Sequence, residues 1–206
     1  MYIGRTLEEK PIPMDQFNPG NVVQVAREYL ATLTGSRQRQ ILENFIEHAE
    51  AECGGRYEEL MASCSQERQV YAAYGAGADY SAYLPQDYTA LTQHYRNLIA
   101  ANIYLIHMEV EKLIVGEDEL VVEGIVHQLH SGAMIETIHG IRMDDPAAVY
   151  QLTKRTCIFF VFDPAGKGAG ELAYSNGPTT AADIVKVDPA KVPPAFWRNP
   201  LAPAVG

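Results

Sequence analysis

Apolar positions in the first third of the chain recur at helical spacing. Val22, Val23, Ala26, Tyr29, Leu30 and Leu33 fall on one stripe, and Gly35 supplies a stop. Ser36 caps a second, more charged helix that runs to about Cys53 and ends at Gly54-Gly55. A short third helix over residues 56 to 63 follows at once. Upstream, residues 1 to 20 carry Pro11, Pro13, Pro19 and Gly20 without periodicity, which predicts an extended arm leading to a helix start at Asn18-Pro19.

Beyond residue 68 the pattern changes. Residues 68 to 74 read as a strand, a Gly, Ala and Tyr-rich loop reaches Pro85, and residues 86 to 101 return to helical spacing with Tyr88, Leu91, Tyr95 and Leu98 on one face. The remainder is strand-rich. Residues 103 to 115 and 119 to 130 meet at Gly116-Glu117-Asp118, and after a connection containing Asp144-Asp145-Pro146 a second hairpin joins 150–162 to 170–176. Helices first and a meander second predict an α+β domain over residues 21–180, a curved antiparallel sheet wrapped against the helices. The tail, 181–206, contains Pro189, Pro193, Pro194, Pro200 and Pro203, which predicts extended chain pinned by Phe196 and Trp197.

Composition narrows the class. With 47% hydrophobic and 20% charged residues the chain can bury a core, which excludes a disordered protein. The 26 acidic residues outnumber the 16 Lys and Arg, and a net charge of -10 repels nucleic acid and anionic lipid alike. Three cysteines without CxxC or CxxH spacing indicate neither a disulfide framework nor a zinc site. No run of eighteen apolar residues occurs and the N-terminal stretch is no signal peptide, so a cytoplasmic protein is expected.

The order of elements resembles the NTF2-like superfamily, the cone-shaped fold of ketosteroid isomerases, scytalone dehydratases and SnoaL-like polyketide cyclases. The pieces that carry the resemblance are Tyr57-Glu58-Glu59-Leu60-Met61-Ala62-Ser63 leading into Val70-Tyr71, the hairpin from Val110 to Val122 through Gly116-Glu117-Asp118, and the closing strand that ends at Tyr174-Ser175-Asn176. It implies one apolar cavity served by a few inward polar groups, with no metal and no organic cofactor. The chain also resembles the bacterial diarylpropane lyases of this superfamily, which dehydrate a lignin-derived diol and release formaldehyde. The isomerases' general-base Asp has no counterpart in the 71–75 stretch.

Candidate residues follow from pattern and resemblance together. His48 lies on the apolar stripe of the second helix with Ile41, Phe45 and Glu52, near the cavity Tyr of the isomerases. Tyr71 lies near a pocket Tyr of the dehydratases, and His107 and His130 near their two catalytic His. Arg155 alternates on one strand face with Cys157, Phe159 and Val161 and falls where those families have a pocket Asn or Asp. A salt bridge to a helix carboxylate such as Glu52 is its structural alternative. Phe45, Tyr83, Tyr88 and Phe159 are the expected ring-binding residues for a small hydrophobic aromatic substrate. One point stays open. If Glu117-Asp118 forms a two-residue turn, His107 shares a face with His130; if Gly116-Glu117-Asp118 is the loop, it opposes His127.

The resulting expectation is a cofactor-independent lyase in which His48, Tyr71, His107, His130 and Arg155 carry out acid-base elimination, with loss of formaldehyde in the diarylpropane case. A SnoaL-like cyclase or isomerase and a non-catalytic ligand-binding protein are the alternatives. Association into a homo-oligomer is expected in each case.

Overall fold

The computed structural model describes residues 7–75, 84–198 and 200–201. Among them, five helices and six strands run in the order α1 (Val22–Leu30), α2 (Ser36–Cys53), α3 (Tyr57–Ser63), β1 (Val70–Tyr74), α4 (Tyr88–Ala100), β2 (Ile106–Val115), β3 (Glu119–Ser131), α5 (Gly132–His139), β4 (Val149–Phe162), β5 (Gly168–Ser175) and β6 (Ile184–Lys186). The architecture is α+β. One curved, unclosed sheet has the order β1-β5-β4-β3-β2, with β6 added on β4. The expected meander is antiparallel except at one edge, where β1 pairs with β5 in parallel.

β4 organises the sheet. One of its edges pairs with β3 throughout, while the other is divided between β6, at Tyr150 to Leu152, and β5, at Thr156 to Phe162. Its inward side chains Phe160 and Phe162 join Met108, Val110, Leu113, Leu120 and Val122 against Ile41, Leu42 and Phe45 of α2 and the buried stripe of α1. Each such side chain withdrawn from water contributes about 1.5–3 kcal/mol.

The opposite face of β4 is covered by the N-terminal arm. The Gln151 amide holds Ile12 on both its polar groups, accepting from Ile12 N at 2.8 Å and donating to Ile12 O at 3.0 Å. Farther along the strand Arg155 donates to Leu7 O at 2.8 Å and grips Glu111 with two bonds of 3.0 and 2.9 Å. The arm ends at Asn21, whose side-chain amide bonds both Met108 N and Met108 O on the outer edge of β2, as a neighbouring strand would.

The two hairpin registers left open by alternation both occur. Next to the turn, Val115 opposes Leu120 and Gly116 N bonds Glu119 O, leaving Glu117-Asp118 as the loop. One extra residue, Glu111, then interrupts β2, and beyond this bulge His107 opposes His127. Gly124 sits across from it because a Cβ there would lie 2.0 Å from Glu109 O.

Three elements differ from expectation. α5 occupies part of the expected connection; Ser131 caps it by accepting from Met134 N, and Gly140 ends it at φ 68°. The strand β6 is too short for alternation to reveal. The tail forms short 3-10 turns at Pro189–Lys191 and Pro194–Trp197 instead of running extended, and Phe196 is its buried anchor whereas Trp197 is 61% exposed. No helix of the described residues is long and apolar enough to cross a membrane.

The arm's clamp is testable. Arg155→Met leaves the buried Glu111 carboxylate without its counter-charge and should cost about 3 kcal/mol, the low end for a buried pair because Arg155 is partly exposed. Arg155→Met/Glu111→Met should recover most of that loss in urea unfolding.

Candidate active site

The inner face of α2 presents Asn44, His48 and Glu52 at successive four-residue steps, so their side chains stack in one column. Facing them, Tyr71 of β1 and Glu171 of β5 are register partners and therefore project to the same side of the sheet. Tyr95 comes from α4, and Ser63 and Cys64 from the end of α3. Burial of these polar groups is tolerable because they bond one another.

His48 is the centre. Its Nδ1 lies 2.9 Å from Ser63 Oγ and 3.8 Å from Cys64 Sγ; its Nε2 lies 3.1 Å from Tyr95 OH, 3.7 Å from Glu171 and 3.8 Å from Glu52. Tyr95 OH is also 3.2 Å from both Tyr71 OH and Glu171 Oε1. Phe45, His48, Tyr71, Phe160, Gly168 and Glu171 line a narrow cavity with room for about one water molecule. A wider, open groove of about 490 Å³ is lined by Met61, Cys64, Gln66, Tyr88 and Lys167.

The hydrogen bonds assign the protons. Ser63 Oγ donates to Leu60 O at 2.6 Å, so it can only accept from His48, and Nδ1 carries hydrogen. Burial opposes a charge on His48, but Cys64, Glu171 and Glu52 together raise its pKa well above the usual value. As an imidazolium it donates through Nε2 to Tyr95, which donates in turn to Glu171, while Tyr71 donates to Tyr95. Burial, reinforced by neighbouring carboxylates, raises both tyrosines well above their usual range and keeps their hydroxyls protonated. Glu52 is pushed up to about 7 by burial and by Glu171, with His48 pulling the other way.

No protein-family model and no curated protein matches the chain. Solved structures do. A protein from Shewanella putrefaciens described as a SnoaL-like polyketide cyclase superposes with a TM-score of 0.54 at 9% identity, over 84% of this chain and 93% of its own. A second, from Shewanella denitrificans and described likewise, gives 0.51 at 11% identity over 66% and 90%. A Mycobacterium tuberculosis protein gives 0.50 at 11% identity over 75% and 100%. The fold is NTF2-like.

Within the NTF2-like cone, the structure brings His48, Tyr71 and Phe45 together and places the other expected residues elsewhere. Arg155 lies on the outer face, because odd-numbered β4 residues point away from α2, and its partner is the strand residue Glu111 and not Glu52. Phe159 shares that face, in edge contact with Tyr174; the cavity receives Phe160 instead. His107 also faces outward, accepting from Asn18 N at 3.0 Å beneath the arm, with burial and His127 lowering it to about 4. His130 does point inward, but beyond the reach of α2, next to His139 of α5; burial and His139 lower it to about 3, and neither ring nitrogen has a partner among the described residues. Tyr88 lines the outer groove, and Tyr83 lies outside the described residues.

Tyr95 and Glu171 are the site groups that sequence reasoning missed. Tyr95 was visible only as one apolar position of α4. Glu171 had a clearer signal, a lone carboxylate in Gly168-Ala169-Gly170-Glu171-Leu172-Ala173. Among the described residues no group of three or more His, Cys, Asp and Glu is placed to hold a metal ion.

Two pH effects follow, with opposite signs. Native Glu52 keeps a proton that the unfolded chain, titrating near 4.5, has lost, so its contribution to stability declines as pH rises from about 4.5 through about 7. Glu52→Gln should flatten that decline and raise the urea midpoint at pH 8. His130 refuses a proton that the unfolded chain takes up below about 6.5, so its contribution declines as pH falls toward about 3. His130→Leu should therefore stabilise the protein more at pH 4.5 than at pH 7.

Proposed function

We propose that the chain is an enzyme performing cofactor-independent acid-base chemistry on a small, mostly apolar, oxygen-bearing molecule, in the manner of a SnoaL-like cyclase or isomerase. The observation that carries this reading is a half-buried carboxylate, Glu171, beside three proton donors, Tyr71, Tyr95 and imidazolium His48, around one narrow cavity that must widen to admit a substrate. In such a reaction a carbonyl or phenolic oxygen of the substrate takes the place of Tyr95 as acceptor from Tyr71 and lies within reach of the His48 charge. Glu171 then removes a carbon-bound proton, and the oxyanion that develops meets donors already aligned in a site with little water. The two structures described as SnoaL-like cyclases agree with this use of the fold, although they share only its shape.

Glu52 favours a second reading, elimination. A carboxyl group held at about 7 is partly protonated near neutrality, and together with imidazolium His48 it supplies the acid that a departing hydroxyl needs. The lyase reading survives on these residues, while its expected helpers His107, His130 and Arg155 do not face the cavity. Loss of formaldehyde from a phenolic diaryl diol is the special case in which the elimination product, a quinone methide, accepts the electrons of a second bond cleavage.

Purified protein should be incubated with hydroxylated polyketide-like aromatics, conjugated and unconjugated enones, and phenolic diaryl diols, with products identified by mass and formaldehyde trapped. An isomer or ring-closed product of unchanged mass supports the first reading; loss of water, with or without formaldehyde, supports the second. In either case Glu171→Gln should lower the rate about 100- to 10,000-fold, and Tyr71→Phe should lower it as well, whereas Arg155→Met should not once its stability is corrected for. Turnover that persists in Glu171→Gln overturns the assignment of the base.

A further inference from the structure

The two polar edges of the His48 ring face different surroundings. The Nε2 edge meets Tyr95 and the two carboxylates. On the Nδ1 edge, Asn44 is buried, with 7% exposure, and its Nδ2 donates to Ser63 O at 3.1 Å. That bond fixes which way the amide faces. Asn44 Oδ1 is left buried without a hydrogen-bond partner among the described residues, an arrangement that folded proteins keep only where something else supplies the bond.

Gly168 shows where that something sits. A Cβ placed on Gly168 would stand 3.7 Å from Ser63 O, 3.8 Å from Asn44 Oδ1 and 4.0 Å from His48 Nδ1, ordinary contact distances with nothing nearer. The glycine therefore leaves a gap of one heavy atom, lined by two carbonyl oxygens, and Asn44, His48 and Gly168 all border the cavity. The His48 Nδ1 proton already belongs to Ser63 Oγ. An acceptor or an anion in the gap would face carbonyl oxygens with no donor available to it. Only a group that brings its own hydrogen fits.

We propose that this gap is a second recognition point of the cavity, one that binds a hydroxyl group of the substrate by accepting its hydrogen on Asn44 Oδ1. The inference rests on the acid-base reading above and extends it to substrate class. The ligand carries two oxygens, a reacting one that accepts from Tyr71 at the Nε2 edge and a hydroxyl that donates at the Nδ1 edge, separated by a flat apolar body for which Phe45 and Phe160 must part, because the closed cavity has room for one water. Water has the same donor chemistry and is the rival occupant of the gap.

Phenol, resorcinol and hydroquinone distinguish the two sources, because all three offer an oxygen to the tyrosines but only the diols carry a second hydroxyl. Their affinities should be measured by NMR shift titration against the wild-type protein, Gly168→Ala and Asn44→Leu, with circular dichroism confirming that each variant folds. Gly168 has an ordinary backbone conformation, so the added methyl fills the gap without strain. At least one diol should bind the wild type roughly 2- to 10-fold more tightly than phenol does, and each variant should bind that diol and phenol within twofold of each other. If phenol binds and neither diol gains, or if the diol preference persists in Gly168→Ala, the gap holds water only and the inference fails while the acid-base reading stands. If none of the three binds the wild type, the inference fails, and the acid-base reading stands or falls on the turnover assays alone.

Discussion

A strand buried on both sides has two interiors, and β4 is such a strand. Helix α2 closes one of its faces and the N-terminal arm closes the other, so the parity of a residue number decides which interior a side chain enters. Phe160 goes to the cavity and Phe159 to the outer face; Arg155 meets the arm and never meets His48. Because charges on the outer face are neutralised there, by Glu111 on Arg155 and by Glu123 on Lys112, they have no influence to lend the cavity. The two faces can therefore meet different demands, the outer one holding the chain together and the inner one remaining free for chemistry.

Electrostatic imbalance characterises the inner site. One imidazolium stands between two carboxylates, and a low-dielectric site cannot keep all three charged at equal ease. Burial and the neighbouring Glu171 raise Glu52 to about 7, so Glu52 is partly protonated near neutrality. A structural ion pair has no need of the second carboxylate. Its presence makes the site able both to give and to take a proton within a narrow range of pH.

The fold was legible because its signals are repeated. Helical stripes, alternating runs and turn residues agree over many positions, and an error of two or three residues at α1 or β2 does not alter the architecture. The site was legible only where one regular element carried it: His48 and Phe45 share the helical stripe of α2. Arg155 and Phe159 were misplaced because alternation identifies which residues share a face but not which face is covered by what. His107 depended on the bulge at Glu111, a one-residue irregularity with no signature beyond Gly124 opposite it. Tyr95 and Glu171 come from elements 47 and 123 residues beyond His48 in the chain, and the only thing that joins them is the packing of the cone.

The arm also bears on the order in which the molecule comes into being. Its anchors lie far away along the chain: Ile12 waits for Gln151, 139 residues later, and Leu7 for Arg155, 148 residues later. Residues 7 to 12 thus reach their final place only once β4 has been synthesised and paired, whereas Asn18 and Asn21 already have partners on β2. On that face Leu129 and Val149 are covered by Phe17 of the arm together with Ile99, Tyr104 and the tail's Phe196. The arm is therefore among the last pieces of the fold to settle, and a chain without a complete β4 lacks the Gln151 and Arg155 that hold it.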